Sequence, residues 1–405
     1  MGTLPPISTS ARYEPALGCR DCFAHDKCGG LYAPGMLDCL AYCCGQPAKC
    51  TYLCPKNERF LAVWRDTRGI EMKCSSLPQS AEPLPLYVPL LQHGSRRHRL
   101  LQIQMAALTT FDVTRRDETT RDMCRDGVTL RAKFKLHADT PLILSSISPD
   151  RRLEHYWRLR KYRRLIDGIK SIRPKHIIAP NFSLFRDIPR FDNLANIRRS
   201  LVCAEEFSQA GLSVIPYVAG VTEQDWRNWA AFLREHSEVV MVCKEFQTGA
   251  STRVKAEWHI QRLKELQQAT GRALHLVAVG GRRVLSSLQP FTHVTVIDSV
   301  PFMRTMHRRR LSIAANWPMT QTEPNEPLDD LLQANITAYA ARVEAIFRGD
   351  AAPPLRPKPV AVEIDTNQMA FVFQGAGDRA IALSSDVIPI PETLICEHAF
   401  PDHGR

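Results

Sequence analysis

The sequence predicts an α/β protein built on a (β/α)8 TIM-like barrel, with a cysteine-rich metal-binding module before it and a small β appendage after it. Three observations predict this. Short apolar runs alternate with amphipathic stretches over some 220 residues, the pattern of βα units around a parallel sheet. There are eight such runs in series, which points first to a closed barrel and then to an open doubly wound sheet. Eight of the thirteen cysteines fall between Cys19 and Cys54, in a stretch too short to bury a core of its own.

Taken in chain order, residues 1–18 hold Pro5, Pro6 and neighbouring Ser and Thr, and read as a disordered lead-in. Residues 19–75 form the cysteine module. Its spacing is C-x2-C-x5-C-x10-C-x3-C-C-x5-C-x3-C-P, through Cys19, Cys22, Cys28, Cys39, Cys43, Cys44, Cys50 and Cys54. The N-terminus has neither an apolar h-region nor a basic n-region, so a reducing, cytoplasmic setting is expected. There, clustered thiols are metal ligands more often than disulfides. Eight thiolates suit two zinc sites, one [4Fe–4S] cluster with spare thiols, or one of each, with His25 as an alternative ligand. The expected role is a structural staple. Docking of nucleic acid or a partner comes second.

"ERFLAVWRD" (58–66) and "GIEMKC" (69–74) are expected to pair as a small hairpin, and "SSLPQSAEPLP" (75–85) to act as a linker. The barrel is expected over 86–350. Its apolar runs are 86–91, 101–111, 141–146, 176–182, 212–218, 239–246, 273–281 and 293–299. Most are rich in aliphatic or β-branched residues, as strands buried on both faces are. Helices are expected at 152–172, at 193–211 with Gly211 as its stop, and at 222–236 with Thr222 as N-cap and Asp225 completing a near capping box. Two more follow at 256–271 and 328–348. "APPLRPKP" (352–359) is a linker, and the alternating segments within 360–405 form the β appendage. No apolar run approaches a membrane span, so no membrane partner is expected.

The net charge is +11. Arginine-rich runs stand at "SRRHR" (95–99), "RLRKYRR" (158–164) and "MHRRR" (306–310). Each alone reads as a solvated face. Together with the global excess they point to nucleic-acid contact. No GxGxxG or P-loop string follows any run; "VAVGGRR" (277–283) lacks the spacing and the Lys-Ser/Thr.

In a barrel the chemistry sits at the C-terminal strand ends. Polar residues just past the apolar runs are therefore the candidates: Asp112, Ser145, Ser146, Asn181, Ser183, Asp187, Tyr217, Lys244, Glu245, Asp298 and Ser299. Asp298 stands out. It ends a buried strand, Pro301 then breaks the chain, and Arg304, His307, Arg308, Arg309 and Arg310 follow. A carboxylate beside such cations is expected to stay ionised, and so to serve as nucleophile or electrostatic stabiliser. A cap or a salt bridge to Arg304 is the plainer alternative.

The segment "LHLVAVGGRRVLSSLQPFTHVTVIDSVPFMRTMHRRR" (274–310) resembles the tRNA-guanine transglycosylase superfamily. There, a strand ending in a Gly-x-Gly-like turn precedes a short helix, and a strand ending in Asp-Cys/Ser leads to a Pro and an Arg. Gly280, Asp298, Ser299, Pro301 and Arg304 follow that order, with Arg304 one residue further from the Pro than usual. "LLQANITAYAARVEAIFRG" (331–349) is similar to the family's closing helix. The resemblance spans roughly 100–350. It is carried mainly by 274–310 and is faint upstream.

The departures are specific. Asn181 stands for the base-reading Asp, Ser183 for the Cys and Ala219 for the Gln. "ILSSIS" (143–148) replaces the Asp-Ser-Gly-Gly element, and the zinc motif before the last helix is absent. These suggest the DNA-guanine transglycosylase branch, which inserts a 7-deazaguanine base into DNA and works with an ATPase partner.

The resemblance implies a flipped nucleotide whose C1′ is attacked by Asp298 to give a covalent glycosyl ester. Asp112, then Asp187, would serve as acid–base group. Gly280, Ser299, Asn181, Ser183, Tyr217 and Lys244 would line the substrate site, and Arg304 and His307 would hold a phosphate. Phe182 or Tyr217 could stack on the base. The alternatives are a tRNA-modifying paralogue, or a non-catalytic metal-cluster subunit that binds nucleic acid within a DNA-modification or defence complex.

Overall fold

The computed structural model describes residues 58–80, 82–113, 126–160, 163–185, 190–247, 253–282, 284–312, 319–322 and 325–349. The lead-in, the eight clustered cysteines with any zinc or [4Fe–4S] centre, the appendage at 360–405, Asp187 and the Asp112 side chain lie outside what is described. The chain divides into two compact units at 356/357, and every described residue belongs to the first.

The eight expected runs each contain a strand: β1 Tyr87–Leu91, β2 Ala106–Thr109, β3 Leu142–Ser145, β4 His176–Ile178, β5 Val214–Ile215, β6 Met241–Glu245, β7 His275–Val279 and β8 His293–Asp298. All pair in parallel, in the order β5-β4-β3-β2-β1-β8-β7-β6. The ring closes through one parallel bridge, Tyr217 opposite Cys243. There the Cys243 N–H donates to the Pro216 carbonyl (2.8 Å) and the Val218 N–H to the Cys243 carbonyl (2.9 Å).

Helices surround it. They are α1 Glu58–Thr67 before the barrel, α2 Gly127–Lys133 after β2, α3 Asp150–Leu159 and α4 Arg163–Ile172 after β3, α5 Arg190–Gln209 after β4, α6 Glu223–Glu235 after β5 and α7 Arg253–Thr270 after β6. After β8 come α8 Val300–Met306, an antiparallel hairpin of β9 Arg309–Leu311 with β10 Met319–Gln321, and α9 Leu328–Phe347. Between β7 and β8 the described residues form a 3-10 turn, Leu285–Leu288.

Local chemistry sets the helix ends. The Thr222 hydroxyl accepts from the Asp225 N–H while Asp225 accepts from the N–H of Thr222, a full capping box at the start of α6. Gly211 (φ +82°) and Gly271 (φ +67°) follow α5 and α7 in the left-handed conformation that ends a helix cheaply only for glycine.

Three expectations need correction. Residues 58–66 are helical, not half of a hairpin. Their apolar spacing also fits the helical period, and packing against α5 decides between the two. The single helix expected at 152–172 is two, α3 and α4.

The linker 75–85 is a strap across the N-terminal mouth of the barrel. Leu77 is fully buried. The Gln79 carboxamide donates to the carbonyls of Val214 (2.7 Å) and Met241 (2.9 Å) and accepts from the Met241 N–H (2.7 Å), tying β5 to β6. The Thr295 hydroxyl donates to the Pro85 carbonyl (2.9 Å). Beneath the strap, His176 Nδ1 lies 2.9 Å from Ser213 Oγ, and His275 Nε2 lies 2.8 Å from Thr295 Oγ1. These side chains mark the inward rows of the barrel.

One arginine in each of two basic runs is buried. Arg97 is enclosed and pairs with Asp329 at 3.4 Å. Arg160 pairs with Asp66 at 3.2 Å and lies 3.2 Å over the Trp157 ring. These two charges stabilise the fold and are not free to grip a phosphate backbone.

Candidate functional site at the ends of strands β5 to β8

Asp298 is the last residue of β8, paired with Pro89 of β1. Side chains alternate along a strand, so Asp298 shares a face with Val296, whose partner is Tyr87. That face turns toward α9. The Tyr339 hydroxyl donates to Asp298 Oδ2 (2.8 Å), and the Val300 N–H donates to Oδ1 (2.8 Å). The Tyr87 and Tyr339 rings sit 4.9 Å apart beside it.

Asp298 is therefore only 3% exposed. The carboxylate is enclosed rather than set at an open rim. Burial pushes its pKa up, opposed by the bonds from Val300 and Tyr339 and by the nearby Arg282 guanidinium. The salt bridge to Arg304 that the sequence allowed is not formed.

Cations gather around the same strand ends. Arg282 follows β7 in the turn Gly280–Gly281, where both glycines have positive φ (+74° and +90°). Arg304 lies on α8 and Arg309 on β9. Burial lowers the Arg304 pKa, and the nearby charges of Arg282 and Arg309 lower it further. Among the described residues none of the three forms an ion pair. Like charges held close together favour an anion nearby. The loops after the seventh and eighth strands are also where barrel enzymes frequently hold phosphate. His307, at the end of α8, is exposed.

On the neighbouring strands, Lys244 is the fourth residue of β6 and is 4% exposed. Its ammonium lies 5.2 Å from the centre of the Tyr217 ring and makes no hydrogen bond among the described residues. Burial lowers its pKa to about 8, with the charges of Glu245 and Cys243 working the other way. Glu245 Oε1 accepts from the Gln247 N–H (2.6 Å). Ser299 caps nothing with its side chain; its carbonyl accepts from the Met303 N–H in the first turn of α8.

The structure thus brings Tyr217, Lys244, Gly280, Asp298, Ser299 and Arg304 onto consecutive strand ends from β5 to β8. Asn181 and Ser183 are not among them. They follow β4, the neighbour of β5, and they hold loops together. Asn181 Oδ1 accepts from the Ser148 N–H (2.9 Å), and the Ser183 carbonyl accepts from Asn196 Nδ2 (2.8 Å).

Phe182 is buried, edge-on to Trp157 with Arg199 over its face, so its stacking partner is the core and not a base. Thr110 and Ser146 bond to each other at 2.9 Å between the ends of β2 and β3. Sequence reasoning missed Tyr339 and Arg282. Both lay inside quoted segments. The signal was the glycine turn before Arg282 and the helical register that brings Tyr339 over β8.

A family model described as a domain of unknown function (DUF4417) matches residues 131–244. No curated protein matches. Among solved structures, the tryptophan synthase alpha subunit of Legionella pneumophila str. Paris is similar at 12% identity, over 72% of this chain and 98% of that one, with a TM-score of 0.36.

Proposed function

We propose that the chain is a nucleic-acid guanine transglycosylase that exchanges a guanine for a 7-deazaguanine base, with DNA ahead of tRNA as the substrate. The observation that supports this reading is Asp298 beside a group of arginines, Arg282, Arg304 and Arg309, that form no ion pair among the described residues, in the segment that resembles the family. The flipped nucleotide's phosphate would lie on Arg282 and Arg304. Asp298 would attack C1′ as the guanine leaves. The carboxylate is pre-oriented by Tyr339 and the Val300 amide, and such fixed donors hold a nucleophile in an attacking geometry.

The reading makes one physical demand. Asp298 is closed off, so nucleotide entry must draw it away from Tyr339. That same burial favours a second reading: a non-catalytic nucleic-acid-binding subunit in which Asp298 only pins α9 to β8.

Nucleoside mass spectrometry of DNA and tRNA from cells expressing the full chain with its genomic neighbours, an ATPase among them, tests both. Base exchange predicts a 7-deazaguanine nucleoside that Asp298→Asn abolishes. The binding-subunit reading predicts modification that Asp298→Asn leaves intact. The clustered cysteines would hold zinc or a [4Fe–4S] cluster as a staple outside the barrel. That metal would not enter the exchange, which transfers no electrons.

A further inference from the structure

The two faces of the barrel strands carry different chemistry. His176 and His275 mark the inward face, and strand pairing carries that face around the ring. From His275 it runs along β7 to Val277 and Val279. Val279 pairs with Glu245 of β6 and with Ile297 of β8. From His176 it runs along β4 to Ile178, which pairs with Ser145 of β3 and Ile215 of β5. Ser145 pairs with Thr109 of β2. Tyr217 stands two residues past Ile215, opposite Cys243, the partner of Val277. Side chains alternate along each strand. Thr109, Ser145, Tyr217 and Glu245 therefore share the inward face at the C-terminal ends of their strands. Asp298 belongs to the other face, against α9.

This end of a barrel is where ligands bind. Ser145 is 2% exposed and Tyr217 8%, yet neither hydroxyl forms a hydrogen bond among the described residues, and neither is fully sealed off. A polar group held this deep normally has a partner, so two without one point to a ligand that supplies it. Thr109, only half-buried, leaves the mouth open above β2. Glu245 is 5% exposed, and the Gln247 N–H donates to its Oε1 (2.6 Å), which fixes the direction of the carboxylate. A carboxylate offers about four lone-pair sites, more than this one bond uses. Ile178, Val279 and Ile297 add aliphatic walls.

An acceptor carboxylate, two hydroxyls and aliphatic walls suit a flat heterocycle with adjacent N–H donors and a carbonyl. Guanine has that edge in its ring N1–H, its exocyclic amine and its O6. Hypoxanthine lacks the amine, and adenine lacks both N1–H and O6. A 7-deazaguanine keeps the whole edge and differs only at position 7, so one pocket takes the leaving and the incoming base. The carboxylate disfavours a phosphate here, which leaves the phosphate to the arginines outside.

We propose that this mouth is the base pocket of the exchange and that Glu245 selects guanine and 7-deazaguanine; the choice of base rests on the base-exchange reading. Glu245 accepts from N1–H and the amine, a charge-assisted pair of bonds. The hydroxyls of Tyr217 and Ser145 donate to O6.

The test is equilibrium dialysis of radiolabelled guanine against the full chain, with hypoxanthine and adenine as competitors. The wild type is compared with Glu245→Gln, which keeps the shape of the side chain but turns one acceptor into a donor, and with Tyr217→Phe combined with Ser145→Ala. The proposal expects the wild type to bind guanine about tenfold or more tighter than hypoxanthine. It expects Glu245→Gln to lose that preference at an unchanged melting temperature. The double variant should weaken guanine and hypoxanthine alike, by about fivefold or more, because both carry O6. A wild type that retains no guanine, or a Glu245→Gln protein that keeps the preference, overturns the pocket. Incorporation of the same guanine into duplex DNA and tRNA separates this from the exchange itself. Exchange with an unchanged KM for guanine in Glu245→Gln overturns the pocket and leaves base exchange standing. Guanine binding that depends on Glu245, without exchange on either nucleic acid, supports the pocket and overturns the base-exchange reading.

Discussion

At the scale of single residues, Asp298 and Tyr339 act as one unit. Tyr339→Phe removes a donor that favours the charged carboxylate, so the pKa of Asp298, already raised by burial, rises further. The expected results are a shift to higher pH in the acid limb of exchange and a stability loss of about 1–2 kcal/mol in denaturant titration. An unshifted limb would mean that the bond does not govern the carboxylate. Asp298 was legible in the sequence because an acid ending a buried strand breaks an apolar pattern. Its environment was not. The arginines that follow it in sequence suggested a carboxylate at an open rim, whereas the residue is buried against α9 and burial raises its pKa. Tyr339 was visible only as one aromatic position in an amphipathic helix, and no local pattern says which strand end such a ring will cover.

At the scale of elements, the unit from β8 through α8, the β9–β10 hairpin and α9 positions the arginine group. Asn335 on α9 is its fastener. Its Oδ1 accepts from the Leu311 N–H (2.7 Å), and its Nδ2 donates to the Arg309 carbonyl and the Thr305 hydroxyl, both at 2.9 Å. Asn335→Ala leaves buried backbone groups unpaired. It should cost on the order of 1–3 kcal/mol by denaturation and also weaken nucleic-acid binding in a filter or anisotropy assay, because Arg309 loses its anchor. Binding unchanged in a destabilised variant would separate the hairpin from the site.

Asp225→Ala breaks the capping box of α6 and the additional bond from the Val221 N–H. It should cost about 1–2 kcal/mol and leave exchange untouched. That box was readable from Thr222 and Asp225 alone, and the eight strands from their aliphatic runs, because local chemistry decides both. The helix at 58–67 was misread because a ten-residue apolar pattern satisfies two periods, and its contacts with α5 lie more than a hundred residues away. The Arg198 Nε donates to the Thr67 carbonyl at 3.1 Å, across 131 positions.

At the scale of the whole molecule, the strap over the N-terminal mouth buries two imidazoles, and no local pattern predicts their partners. His176 and His275 have pKa values lowered to about 4, chiefly by burial. The unfolded chain takes up these protons below about pH 6.5 and the native one does not. Stability is therefore complete above that pH and falls as the pH drops from 6.5 toward 4, on the order of 3 kcal/mol for His176. Melting temperatures measured across that window should fall steadily in the wild type and less steeply in His176→Asn. Equal slopes would remove the histidine from the account.

The net charge was legible and its division was not. Among the basic residues, Arg97 and Arg160 serve the core, while Arg282, Arg304 and Arg309 form no ion pair among the described residues. Which arginines meet a carboxylate is decided by the folded ring.

The central claim is that Asp298 is the nucleophile of a base exchange on nucleic acid. It is tested most directly by nucleoside mass spectrometry of DNA and tRNA from cells that carry the chain and its genomic neighbours, with wild type beside Asp298→Asn. The account predicts a 7-deazaguanine nucleoside in the DNA of the wild type and none with the variant. The same nucleoside persisting with Asp298→Asn, or absent from both pools in the wild type, would contradict it.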